Sequence, residues 1–170
     1  MDRKTKIILL ADVVLLIVSL IVVVSSFAEK TEIEAWVMCQ PGSFVNVRKG
    51  PSSRYACIGR YETGDKVLLD GKFENRYAYS SSLALEDTEG WISTGYLVFD
   101  EPVWKDGEWY TVNSNGRVAM RRCIEGERTS WVKDGTQLQV FWWSEEWCCT
   151  TRGVIRTEFL IANEEVSTDE

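Results

Sequence analysis

The chain of 170 residues contains no histidine. That absence removes Ser-His-Asp and Cys-His nucleophilic arrangements, imidazole acid–base chemistry and the common zinc sets that include His. An excess of positive charge is lacking too: Lys and Arg number 19 against 26 Asp and Glu, and from Glu29 onward 16 against 24, so the body stands at −8. Nucleic acid and anionic membrane surfaces are bound through clustered Lys and Arg, so both are poor partners for this body, whereas a peptide or a neutral glycan is not. No CxxC pair occurs among the five cysteines, Cys39, Cys57, Cys123, Cys148 and Cys149, and no metal or other cofactor is expected. Glu86-Asp87 and Glu145-Glu146 cluster at turns, where solvated charge is the usual reason for carboxylates. Acid–base catalysis asks for a positioned pair instead, so the chain reads as a non-enzyme. Beyond residue 30 no stretch sustains a helical period over three turns, and an all-β body follows.

What is present begins with a targeting element at residues 1–28. Arg3, Lys4 and Lys6 precede an apolar run from Ile7 to Val24, interrupted by Asp12 and Ser19, and Ser26-Phe27-Ala28 supplies the small residues that a signal peptidase reads. The segment is either cleaved after Ala28 or retained as an anchor, and the basic start leaves the rest of the chain outside the cytoplasm in both cases. The expected location is extracytoplasmic, secreted or membrane-anchored, with membrane contact only through an uncleaved segment. In that setting the five cysteines are either bridged or serve as small buried apolar side chains. Cys148 and Cys149 are adjacent on an expected strand, so they face opposite ways.

The body is written twice from one template. Val45-Asn46-Val47-Arg48 is answered by Val118-Ala119-Met120-Arg121, Gly64-Asp65 by Gly135-Thr136, and the run Gly90 to Leu97 by Gly153 to Leu160. Three anchors recurring in order mark two copies of a small unit. Turn residues divide short period-two runs in both copies, and Tyr77–Ser81 is expected to pair with Trp91–Ser93. Gly64 and Gly90 lie 26 residues apart against 18 for Gly135 and Gly153, and the extra eight are assigned to Lys72–Glu86. The expected organisation is a first module at 35–100, a linker at 101–108 carrying Lys105-Asp106-Gly107, a second module at 109–162 and an acidic tail at 163–170.

The first copy resembles the bacterial SH3-like domain. The resemblance is carried by Val45-Asn46-Val47-Arg48-Lys49-Gly50-Pro51-Ser52, Ile58-Gly59, Gly64-Asp65-Lys66-Val67, Gly90-Trp91-Ile92 and Tyr96-Leu97. The second copy keeps the strand, Gly135 and Gly153-Val154-Ile155 with Phe159-Leu160, but has Arg122-Cys123-Ile124-Glu125-Gly126 in place of the Gly-Pro-Ser turn and Val154 in place of Trp. The resemblance implies two tandem half-open β-barrels that bind cell-wall peptidoglycan or another envelope component. The alternative it leaves is an interaction module for an envelope protein or peptide, or a targeting subunit for a separately encoded cell-wall hydrolase.

Aromatic side chains are the expected contact residues, because eight Trp is heavy usage and the acidic body offers little to an ion-pairing ligand. Strict alternation puts Leu138, Val140 and Trp142 on one face and Gln139, Phe141 and Trp143 on the other, so at least one of Trp142 and Trp143 stays outside the core, either exposed to a ligand or packed against the first module. The candidate ligand-binding residues are Trp143, Trp147 and Trp142 in the second copy with Tyr55, Tyr61 and Tyr79 in the first. Trp91 reads as a core residue, and Arg48 and Arg121 as bonded within their own copies.

Overall fold

The computed structural model describes residues 32–83 and 88–163, which lie in one compact unit beginning at Glu32. The expected targeting segment at 1–28 and the expected tail beyond Asn163 lie outside the described residues. The first copy contains β1 (Ile33–Val37), β2 (Phe44–Arg48), β3 (Cys57–Glu62), β4 (Lys66–Leu69), β5 (Phe73–Glu74), β6 (Tyr77–Leu83), β7 (Thr88–Ser93) and β8 (Leu97–Val98). The second contains β9 (Val103–Val112), β10 (Arg117–Arg121), β11 (Arg128–Lys133), β12 (Gln137–Trp143), β13 (Trp147–Thr150), β14 (Gly153–Arg156) and β15 (Leu160–Ala162). All pairing is antiparallel, in three sheets, and the described residues hold no α-helix, only 3-10 turns at Thr94–Tyr96 and Thr157–Phe159.

Period-two patterning builds these strands. In β2, Val45 and Val47 turn inward while Asn46 and Arg48 turn out, and Val118 and Met120 repeat this in β10. The copies also match bond for bond. Gly64 N–H donates to Val37 O at 2.9 Å and Gly135 N–H to Val112 O at 2.8 Å. Arg48 Nη1 reaches Tyr55 O at 2.8 Å, and Arg121 Nη1 reaches Gly126 O at 3.0 Å, so each arginine braces its own turn as expected. Thr94 N–H donates to Arg76 O and Thr157 N–H to Glu146 O, which aligns Arg76 with Glu146 and Tyr77 with Trp147.

One difference between the copies is structural. In the first, Asp70-Gly71-Lys72 separates β4 from β5, with Gly71 at φ +72°, and the strands fall into two sheets, β4-β1-β8 and β3-β2-β7-β6-β5. In the second, β12 runs through without a break and pairs with both β9 and β13, giving a single seven-stranded sheet. The extra residues of the first copy lie mostly between Ser80 and Gly90, since those two pair directly while Thr150 and Gly153 pair across a tight turn.

Three sequence expectations fail here, two of them for one reason. The register between β12 and its neighbours shifts between Val140 and Trp142, so Phe141 is an extra residue and alternation resets. Trp143 thereby returns to the face of Val140, packs on the second copy's core and lies 4.9 Å from the Tyr110 ring, while Trp142 moves to the other side. Residues 101–108, expected as a linker, are largely strand: Val103 and Trp104 pair with Trp143 and Trp142 within β9. Their turn chemistry is spent on the opposing side of the same irregularity, where Asp106 and Gly107 take φ +49° and +77°. Asn163, placed in the tail, accepts a 2.5 Å bond from Thr111 Oγ1.

Each copy encloses a core, around Val37, Val47, Leu69 and Ile92 in the first and Met120, Leu138, Val140 and Ile155 in the second. A third cluster joins them, built from Trp36, Met38 and Val98 of the first copy with Cys149 and Val154 of the second, flanked by Ile124, Trp142 and Trp147. Cys148 and Cys149 do face opposite ways, and both are buried because the second copy has apolar neighbours on both sides of β13. All five cysteines are free thiols and only Cys57 is exposed.

The reset alternation has a measurable consequence. Trp143→Ala should lower unfolding free energy by about 2 kcal/mol, as loss of a partly buried aromatic does. A urea midpoint matching that of the parent would return Trp143 to a free surface.

Candidate functional site

Where the copies meet, the shift in β12 assembles an aromatic cleft. Trp104 and Trp142 stand opposite each other in the ladder with ring centroids 4.9 Å apart at 65°, and Phe141 lies 5.8 Å from Trp104. Trp104 keeps 51% of its surface exposed, a large apolar face left open. The opposite wall is the first copy's loop Pro41-Gly42-Ser43 with Glu62 and Thr63, and Cys149 contributes to a cavity of about 230 Å³.

Local bonding holds this wall in place. Ser43 N–H donates to Gln40 O at 2.9 Å, and Gly42 supplies the positive φ (+74°) that the turn needs. Thr63 Oγ1 donates to Cys39 O at 2.8 Å and accepts from Cys39 N–H at 3.1 Å, tying the Thr63 turn to the strand that enters the loop. Gly64, at φ +94°, lets the Trp142 ring lie across the backbone, since a Cβ there would stand 2.4 Å from Trp142 Cζ2. Among the described residues, Glu62 is the one charged side chain lining the cleft.

The thiols near it are chemically quiet. Burial pushes Cys149 up to about 12 and raises Cys39 and Cys123 as well, so each is a neutral thiol at neutral pH. A thiolate nucleophile needs the opposite shift. Cys149 Sγ instead donates to Cys39 O at 3.1 Å across the junction. The cleft offers ring faces, bare backbone and one carboxylate, a set suited to holding an apolar or neutral group.

A second surface lies in the second copy. Val118, Ala119, Arg121, Ile124, Glu125, Glu146, Trp147, Arg156, Glu158 and Phe159 line an open groove of about 620 Å³. The Arg156 guanidinium sits 4.9 Å over the Trp147 ring and 4.0 Å from a Glu146 oxygen.

The six expected contact residues are dispersed. Trp142 lies in the cleft and Trp147 in the groove. Trp143 packs on the second copy's core, and Tyr61 is 5% exposed within the first copy's core. Tyr61 sits inward because it pairs with Val45 in β3, on the face that Val45 presents to the core. Tyr79 stacks 5.3 Å from Trp91, and its hydroxyl, hydrogen-bonded to Glu89 at 2.6 Å, is pushed up to about 12. Trp91 is buried as expected, and Tyr55 is half exposed on the first copy's turn. Trp104 and Phe141 were missing from the expected set. Trp104 was visible as an aromatic beside the Asp106-Gly107 turn, but only strand pairing across 38 positions sets it on Trp142.

No family model and no curated protein matches the chain. Among solved structures it is similar to NlpC1 from Trichomonas vaginalis, at 14% identity and a TM-score of 0.34, covering 80% of this chain and 48% of that one. NlpC2 from the same organism is similar at 11% identity and a TM-score of 0.35, covering 80% and 50%. The chain spans about half the length of both. Likeness at this level places no residue and assigns no activity.

The Gly64 contact is open to test. Gly64→Ala forces a Cβ into the Trp142 ring at a left-handed backbone position, and should cost about 2 kcal/mol and shift tryptophan emission. Parent-like stability and emission would mean that Trp142 does not rest on Gly64.

Proposed function

We propose that the chain is an exported, non-catalytic binding protein made of two bacterial SH3-like modules, each a small half-open β-barrel, that holds a component of the cell envelope in the aromatic cleft between them. Cell-wall peptidoglycan is the first ligand class. The bond-for-bond correspondence of the copies supports the tandem reading, with the second module starting at Val103 rather than Trp109. The carrying observation is the half-exposed Trp104 beside Phe141 and Trp142 over an apolar cavity of about 230 Å³. That volume is below the roughly 300–1,000 Å³ of small-molecule pockets, and suits one sugar ring or one side chain of a polymer running across the surface. Stacking on ring faces supplies contact energy without charge, which suits a body of net −8. The protein is either secreted or held at the membrane by residues 1–28.

Co-sedimentation with purified peptidoglycan sacculi tests the reading. The parent should pellet with sacculi, and Trp104→Ala should weaken binding by about 2 kcal/mol while the protein stays folded by circular dichroism, because half of the Trp104 surface faces solvent and its lost packing is confined to the Phe141 and Trp142 rings. No binding by the parent would sink the peptidoglycan reading, and parent-like binding by Trp104→Ala would move the site out of the cleft.

A further inference from the structure

The duplicated architecture is used asymmetrically. The second copy's turn, Cys123 to Gly126, docks on the first copy: Glu125 N–H donates to Gly95 O at 3.1 Å, and Glu125 forms an ion pair with Arg76. Cys123 is buried with the first copy's core, and a Cβ on Gly95 would meet Glu125 Cβ at 3.0 Å. The acceptor residues are Arg76, Tyr77, Ser93, Gly95 and Tyr96. Their equivalents in the second copy, by the strand registers, are Glu146, Trp147, Arg156, Glu158 and Phe159, and all five line the open 620 Å³ groove. The first copy's own turn is correspondingly free, with Ser53, Arg54 and Tyr55 exposed.

Charge at the two unused halves is reversed in concert. The turn position filled by Glu125 precedes the carbonyl that braces Arg121, and in the first copy the residue preceding the corresponding carbonyl is Arg54. The groove position filled by Arg76 in the first copy is Glu146 in the second. A used pair of turn Glu and groove Arg is thus matched by an unused pair of turn Arg and groove Glu. Glu158 stands where the first copy has Gly95, so the free groove gives up the closest backbone approach and gains a second carboxylate for an incoming arginine. Arg156 lies over the Trp147 ring and pairs with Glu146 at 4.0 Å, so an incoming arginine shares Glu146 with it and has Glu158 as its second carboxylate.

We infer that the Trp147 groove receives the Gly50–Tyr55 turn of a second copy of this chain, with Arg54 between Glu146 and Glu158, in the arrangement that the two copies already adopt within one chain. The contact is head-to-tail: every chain offers one turn and one groove. Such heterologous contacts extend into chains or close into rings rather than stopping at a dimer. Self-association uses a different surface from the aromatic cleft, so it stands or falls separately from ligand binding there.

Sedimentation velocity of the full-length protein in mild detergent, across a concentration series, reads this out. The parent should grow beyond a dimer with concentration. Arg54→Glu, and separately the pair Glu146→Arg with Glu158→Arg, should each raise the concentration needed by roughly tenfold or more, since like charges then face each other. The triple variant carrying all three changes should recover association, because each contact regains opposite charges. These side chains are exposed, so circular dichroism of every variant should overlay the parent's. Since all variants share the N-terminal segment, association through it would be equal among them. A parent that stays monomeric, association indifferent to the swaps, or a triple variant that fails to recover would each overturn the inference.

Discussion

The packing of the second copy onto β1 and β8 of the first governs the rest of the structure. Trp36, Met38 and Val98 lie in a cluster separate from their own copy's core and pack with Cys149 and Val154 of the second copy. Burying a side chain of that size contributes about 1.5–3 kcal/mol. Backbone bonds fix the registration: Gln40 N–H donates to Arg122 O at 2.8 Å, Cys39 and Cys123 lie side by side in an antiparallel bridge, and Glu145 N–H donates to Asp100 Oδ2 at 2.6 Å. Apolar area supplies the energy and these bonds remove the freedom to slide.

From that packing the cleft follows, whereas the groove belongs to the second copy alone. Trp104 and Trp142 belong to the second copy, and Pro41, Gly42 and Glu62 to the first, so the cleft exists only while the copies are registered. The cysteines fit the same logic. Cys39, Cys123 and Cys149 are small enough to sit where two backbones approach, and burial keeps them as thiols. Tyr96 is pushed up to about 12, first by burial at this junction and then by the neighbouring Cys123, so it also remains neutral there. Acidic side chains are left to the outside, where Glu125 pairs with Arg76 across the junction and Glu146 pairs with Arg156 at 4.0 Å on the rim of the groove.

Much of the fold was legible because period-two alternation and turn residues act locally. Val45 and Val47 announce β2, Val118 and Met120 announce β10, and the pairing of β6 with β7 follows from two alternating runs with a turn between them. The errors arose where a local signal has two uses. Asp106-Gly107 is turn chemistry whether it ends a strand or makes an irregularity within one, and sequence periodicity continues smoothly through Phe141 although the ladder does not. That single reset exchanged the fates of Trp142 and Trp143. Tyr61 was misplaced because a tyrosine on a short strand suits a core or a surface equally, and only its pairing with Val45 decides. The cleft was illegible as a unit, since its walls come from two copies brought together by tertiary packing.

Differential scanning calorimetry of the protein tests the shared interface most directly. Two copies that bury Trp36, Met38 and Val98 against Cys149 and Val154 should unfold in one transition, with calorimetric and van 't Hoff enthalpies equal. Two resolved transitions, or a calorimetric enthalpy near twice the van 't Hoff value, would show copies that fold separately and would contradict the account.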